Sequence, residues 1–231
     1  MAKEKSSDMF ARVLAVVSLL VAVVAIVLPL TEQRRQFRIL QAEQLVIRLN
    51  PHVDGTFRIT KNNLGPLGHV VQVPWGLTLS NTGNQKLSVI KYSITTGSSP
   101  NSTFYSGIDG GMVNADGKPV SLPFSIEPGD SRSFVVFIGT TVPSNVYEIL
   151  SSNGNRDLPT IARAKIALAK RGIDIYGNKV AYQEYAGGGY LLTVDKENQK
   201  YPRYWFQVDS GRGNAFLTSG TQYETQRNDG P

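Results

Sequence analysis

The sequence predicts a mainly β protein, an antiparallel β-sandwich carried behind a single N-terminal transmembrane helix. Three observations predict it. An uncharged apolar run extends from Val13 to Leu30, apolar and polar residues alternate strictly from Val71 to Ser80, and short apolar-patterned segments recur between Gly, Asn and Pro turns through the rest of the chain. The 22 Gly and 12 Pro among 231 residues suit a fold of many short strands.

Residues 1–12 form a short tail with Lys3, Lys5 and Arg12. The run that follows, VLAVVSLLVAVVAIVLPL at 13–30, has Ser18 as its one polar residue. At 1.5 Å per residue it makes roughly 27 Å of helix, close to the hydrocarbon thickness of a bilayer. A cleaved signal peptide would share the basic start. Its apolar region is usually shorter, however, and the only small-x-small candidate, AVVA at 22–25, lies inside the run, so a retained single-pass anchor is expected. Lys3, Lys5 and Arg12 before the span nearly balance Arg34, Arg35, Arg38 and Arg48 after it, so charge does not set orientation. The usual architecture of such anchors, a short tail kept inside and a large β-domain exported, places the C-terminal domain outside the cytoplasmic membrane.

Residues 31–44 form a juxtamembrane stalk. Phe37, Leu40, Gln44 and Ile47 fall at helical spacing, so the membrane helix is expected either to continue as an amphipathic stalk, with its arginines against lipid headgroups, or to give way to a solvated connector. Self-pairing through the stalk would make a homo-oligomer, although two heptads are too few to define a coiled coil.

The β-domain spans 45–218 and is expected to be one elaborated sandwich, with two small sandwiches divided at 144–159 as the alternative. Val71, Val73, Trp75, Leu77 and Leu79 fall on one face of a strand, with Gln72, Pro74, Gly76, Thr78 and Ser80 on the other. Pro74 cannot donate to a ladder and demands an edge, a bulge or a side free of hydrogen bonds. NTGN at 81–84 reads as a hairpin turn, and the apolar parity of the return strand shifts at Val89–Ile90, which predicts a bulge. Two further strands flank Glu127-Pro128-Gly129-Asp130. The second, Phe134–Ile138, is apolar on both faces and therefore central. YLLTV at 190–194 and RYWFQV at 203–208 complete the strands, a short helix is expected over Val146–Leu150, and the polar tail 219–231 is expected to fray.

The segment TIARAKIALAKRG, 160–172, reads both ways. Its alanines and Gly172 suit a helix and its C-terminal stop, while Ala164, Ile166 and Leu168 alternate as in a strand. Directly after it, Asp174-Ile175-Tyr176-Gly177-Asn178-Lys179-Val180 resembles the D-x-Y-G-N-x-V strand-and-turn of bacterial immunoglobulin-like repeats. WGLTLSNTGNQKL, 75–87, is similar to the strand and N-x-G turn of adhesion-type members. The resemblance implies an immunoglobulin-like sandwich and a strand at 163–176. It carries over no binding residues.

Little in the chain points to chemistry. With no cysteine there is no disulfide framework, thiolate nucleophile or cysteine-based metal site. The two histidines, His52 and His69, accompany no nucleophile motif, and GDS at 129–131 lies in a strand turn. Asp109, Asn114 and Asp116 in GIDGGMVNADGK lack the spacing of a calcium loop and suit a glycine-rich hairpin, and SGRGN at 210–214 opens no helix that could cradle a phosphate. No cofactor is expected. The net charge of +6 is scattered rather than interleaved with aromatics, which argues against nucleic acid. The remaining candidate is an aromatic binding face of Tyr182, Tyr185, Tyr204 and Trp205, for sugar or protein. The sequence therefore leads to a membrane-tethered, non-catalytic module for a protein partner at the cell envelope, with a carbohydrate-binding or carbohydrate-processing domain as the alternative.

Overall fold

The computed structural model describes residues 2–152, 160–186, 189–194 and 201–222. A single 40-residue helix, α1 (Ala2–Gln41), opens the chain and passes through Pro29 without ending. Its apolar window, Val17–Arg34, has a mean hydropathy of 1.6 and is 0% buried against the protein. At ~60 Å the helix is about twice as long as a bilayer's hydrocarbon core, so the stalk is its continuation.

Nine of the described strands form two antiparallel sheets over a common core. The first contains β1 (Leu45–Pro51), β2 (Arg58–Asn63), β3 (His69–Asn81), β5 (Asp109–Val113) and β7 (Ser131–Val142), in the order β1-β3-β7-β5 with β2 also on β3. The second contains β4 (Leu87–Thr96), β6 (Phe124–Ile126), β10 (Tyr204–Ser210) and β11 (Ala215–Gly220), in the order β11-β10-β4-β6. Trp75, Leu77, Leu79, Val136 and Ile138 of the first sheet meet Leu87, Val89, Ile94, Tyr204, Phe206 and Val208 of the second. As expected for its two-sided apolar pattern, β7 is internal, paired on both edges.

The alternation of β3 is observed, and two different covers share its apolar face. Trp75, Leu77 and Leu79 face the second sheet, whereas Val71 and Val73 join a separate cluster with Phe57, Val146, Leu150, Ile161, Ala164 and Leu168. At 13 residues, ~43 Å, β3 overruns the 10-residue β4. Two helices inserted between β7 and β10 fill the overhang: α2 (Ser144–Ser152), which includes the expected turn over Val146–Leu150, and α3 (Ile161–Ala169). A two-stranded sheet of β8 (Val180–Glu184) and β9 (Tyr190–Val194) completes this distal insertion.

Pro74 sits where β1 hands over to β2 along the edge of β3. Pro51 pairs with Trp75 and Arg58 with Gln72, and the Pro74 carbonyl accepts from His52 N. Nitrogen and carbonyl of one strand residue point to the same side, so the missing donor faces that seam, between the ends of the two ladders. The predicted bulge is present at Ile90, where the partners of β4 jump from Asp209↔Lys91 to Ser210↔Val89.

Three expectations are corrected. NTGN does not close a hairpin: β3 and β4 lie in different sheets, as do β6 and β7 across Glu127–Asp130. Both turns are arches that cross the core, and Asn81 staples them together. Its Oδ1 accepts from Gly83 N, and its Nδ2 donates to Gln85 O at 2.8 Å and to Ile126 O at 3.0 Å. Its backbone bonds Gly129 and Asp130, and Lys86 pairs with Glu127 at 2.6 Å. Second, the strand at 163–176 is absent. Thr160 caps α3 by accepting from Arg163 N, Ile161, Ala164 and Leu168 bury one helical stripe, and Gly172 takes φ +76° just past the end. Alanine's helix propensity and that stripe outweigh the short alternation. Third, the C-terminal tail starts later than 219: Ser219 and Gly220 belong to β11, Thr221 and Gln222 are buried, and residues 223–231 lie outside the described residues.

Candidate functional site

The four predicted aromatics do not share a face. Tyr204 is fully buried between the sheets, its hydroxyl 2.8 Å from Thr140 Oγ1 and its ring edge-on to Trp75. Trp205 points to the opposite side of β10 and donates from Nε1 to Gly97 O. Tyr182 and Tyr185 belong to the β8–β9 insertion. There Tyr182 stacks on Tyr190 at 5.9 Å and lies under the Lys170 ammonium, which also pairs with Glu184 at 3.2 Å. Tyr185 and Tyr190 are about half exposed. Sequence proximity had grouped residues that the topology distributes over a core and a separate hairpin.

The side-chain oxygens of the glycine-rich segment 107–118 hold turns. Asp109 Oδ1 accepts from Gly111 N and Tyr92 Oη, and Asn114 Oδ1 accepts from Asp116 N and Lys118 N. Among the described residues no cluster of three or more His, Asp or Glu side chains is placed to hold a metal. His69 stacks on Tyr147 at 4.1 Å, a packing role.

Two polar constellations stand out, one at each end of β3. The proximal one joins α1 to the β-domain. The Glu43 side chain is only 1% exposed, and its Oε2 accepts from Ser210 Oγ in a short hydrogen bond and from Asn214 Nδ2 at 2.8 Å. Arg212 places Nε 3.9 Å from Glu43 Oε1 and donates from another nitrogen to Gln41 O at 3.0 Å, supplying a cation to the C-terminal end of α1. The SGRGN turn is therefore a carboxylate cradle. No sequence signal linked it to Glu43, 167 positions away.

The distal constellation ties α3 to the loop before β8. Asp174 is buried: its Oδ1 accepts from Tyr176 N and Asn178 N, and its Oδ2 accepts from Asn178 Nδ2 at 2.8 Å. Lys165 donates to Gln222 Oε1 at 3.1 Å, and Tyr201 packs edge-on to Tyr176. Burial pulls the Lys165 ammonium down to about 8, with the Asp174 charge opposing the shift.

That shift sets a pH dependence. The folded chain releases the Lys165 proton near pH 8 and the unfolded chain near 10.5. In between, the unfolded state holds more protons, so stability rises with pH, by about 2 kcal/mol after allowing for solvent contact. Buried tyrosines act in the opposite sense above pH 10: burial lifts Tyr105 to about 12 and Tyr204 well above its ordinary value. The urea midpoint should therefore climb from pH 8 to about 10. Lys165→Met should flatten the climb, and an equal climb in that variant would refute the assignment.

Compared with known proteins, the chain matches no family model and no curated relative.

Proposed function

We propose that the chain is a membrane-tethered, immunoglobulin-like β-sandwich serving as a non-catalytic protein-interaction or structural module at the cell envelope, with its β-domain on the extracytoplasmic side. The observation that carries the reading is α1. Its apolar window is uncovered by the rest of the protein, and it runs without a break to within three residues of the first strand. Leaving such a surface in water is unfavourable, and a bilayer satisfies it.

Strand order supports the immunoglobulin-like part. In that fold, strands A, B, E and D form one sheet and C, F and G the other. Here β1, β3, β7 and β5 take the places of A, B, E and D, and β4, β10 and β11 those of C, F and G. The departures are β2, an extra strand beside β1 on β3, β6, an extra strand on the free edge of β4, and a buried tryptophan on the B-place strand rather than on C. The distal insertion falls between the E and F places.

Sidedness tests the reading. The chain has no cysteine, and Ser99 is exposed in the turn after β4. Ser99→Cys should react with a membrane-impermeant maleimide on cells whose cytoplasmic membrane is intact and whose outer layers are permeable. Labelling that appears only after lysis would put the domain on the cytoplasmic face and overturn the envelope assignment.

A further inference from the structure

Flexible tethers between a membrane helix and a folded domain are built from Gly- and Ser-rich segments. The link here is Ala42-Glu43-Gln44, and each residue from Gln41 to Gln44 is held. Gln41 O accepts from Arg212, and the Glu43 carboxylate lies in the cradle of Ser210 and Asn214. Gln44 O accepts from Thr82 N at 3.0 Å. Ala42 O and Gln44 N pack so closely on Gly83 that a Cβ there would stand 3.1 and 3.0 Å from them. The gripping elements are the β10–β11 turn and the β3–β4 arch. The first is bonded to β4 through Gly211 N to Ser88 O, and the second connects β3 to β4, so the grip comes from the body of both sheets.

A buried carboxylate is stable only where its oxygens are satisfied. Glu43 Oε2 takes both its donors, and Oε1 its nearest cation, from one arrangement of link and turn, and swinging α1 relative to the sheets would break it. Hydrogen bonds to charged groups are the stronger ones, so this contact resists motion more than the neutral contacts around it.

We infer that α1 and the β-domain form one rigid body locked by Glu43, so that tilt or rotation of the helix in the bilayer is delivered to the distal α3 and β8–β9 insertion. The inference rests on the reading of α1 as a membrane helix. Along β3 alone the lever is ~43 Å, so a change of tilt of ~10° displaces the far end by ~7 Å. The chain is then a device that couples the state of its membrane helix to the position of its outer surface.

Paired spin labels test this in the full chain reconstituted in phospholipid nanodiscs. Gln36→Cys lies on α1 beyond the apolar window, and Lys61→Cys lies on β2 toward the distal end; both sites are exposed. The expected result is a single narrow distance distribution, broadened at least two-fold by Glu43→Ala and by a six-residue Gly-Ser insertion after Gln41. Ser210→Ala should broaden it less. Tryptophan emission, from Trp75 and Trp205, confirms in each variant that the β-domain remains folded. A starting distribution as broad as that of the insertion variant overturns the rigid coupling, and a narrow one unchanged by Glu43→Ala overturns the role of Glu43. Failure of the membrane reading would show separately, as protein that does not co-migrate with the nanodiscs.

Discussion

Asn81→Ala is expected to lower the stability of the β-domain by about 3–4 kcal/mol, read from the urea midpoint of the full chain in detergent. The side chain is 1% exposed and makes three bonds to backbone groups in two different arches. Truncation leaves Gly83 N, Gln85 O and Ile126 O without it. Gln85 O is half-buried, so water can replace part of that loss, whereas Gly83 N is buried beneath Ala42 and Gln44. Ile126 O lies beside a fully buried residue of the core, where an unmet acceptor costs about 1–3 kcal/mol. Removing the staple also loosens the stacking of the β3–β4 arch on the β6–β7 arch, and this adds to the sum. Asn81→Asp should be worse than alanine, because it turns a carboxylate oxygen toward two carbonyls. A loss below about 1 kcal/mol for alanine would show that the backbone bonds of residue 81 hold the arches unaided.

The same residue marks the boundary of what local pattern reveals. The apolar run, the alternation along β3, the turn residues at 81–84 and the parity slip that predicts a bulge are all properties of consecutive residues, and each appears in the structure. Whether the chain after Asn81 returns beside its own strand or crosses to the opposite sheet is a different matter. A hairpin and an arch need similar turn residues and similar alternating strands, and the choice depends on β10, more than a hundred positions later, which takes the place beside β4. The resemblance misassigned 163–176 as a strand, because the match began at Asp174 and its upstream extension conflicted with the helical stripe of Ile161, Ala164 and Leu168.

The candidate site was less legible for the same reason. Tyr182, Tyr185, Tyr204 and Trp205 are near one another in sequence, but adjacent residues of a strand face opposite sides. That rule alone separates Tyr204 from Trp205, while the short β8–β9 sheet removes the other two. Conversely, Glu43 and Lys165 carried no motif. Their burial follows from contacts with Ser210, Asn214 and Gln222, which long-range topology brings to them.

Asp174 is the second position where a large effect is expected, and it tests how the distal insertion is held. Its two oxygens accept three donors from the following four residues, forming a closed loop that turns the chain from α3 into β8. The carboxylate also supplies the negative charge that opposes the desolvation of Lys165. Asp174→Ala orphans buried donors and withdraws that charge together, which for buried charge partners costs about 3–5 kcal/mol. Asp174→Asn separates the two effects. The amide can still accept from Tyr176 N and Asn178 N, but its NH2 then confronts the Asn178 NH2, and flipping it moves the conflict to the backbone donors. The loss should be about 2–3 kcal/mol. Exchanging both residues, Asp174→Asn with Asn178→Asp, turns that conflict back into a donor–acceptor pair and keeps one negative charge in the loop. It should recover at least half of the loss, measured by urea unfolding of the full chain in detergent. If the exchange is no better than Asp174→Asn alone, the position of the charge relative to Lys165, rather than closure of the loop, holds the insertion on the end of β3.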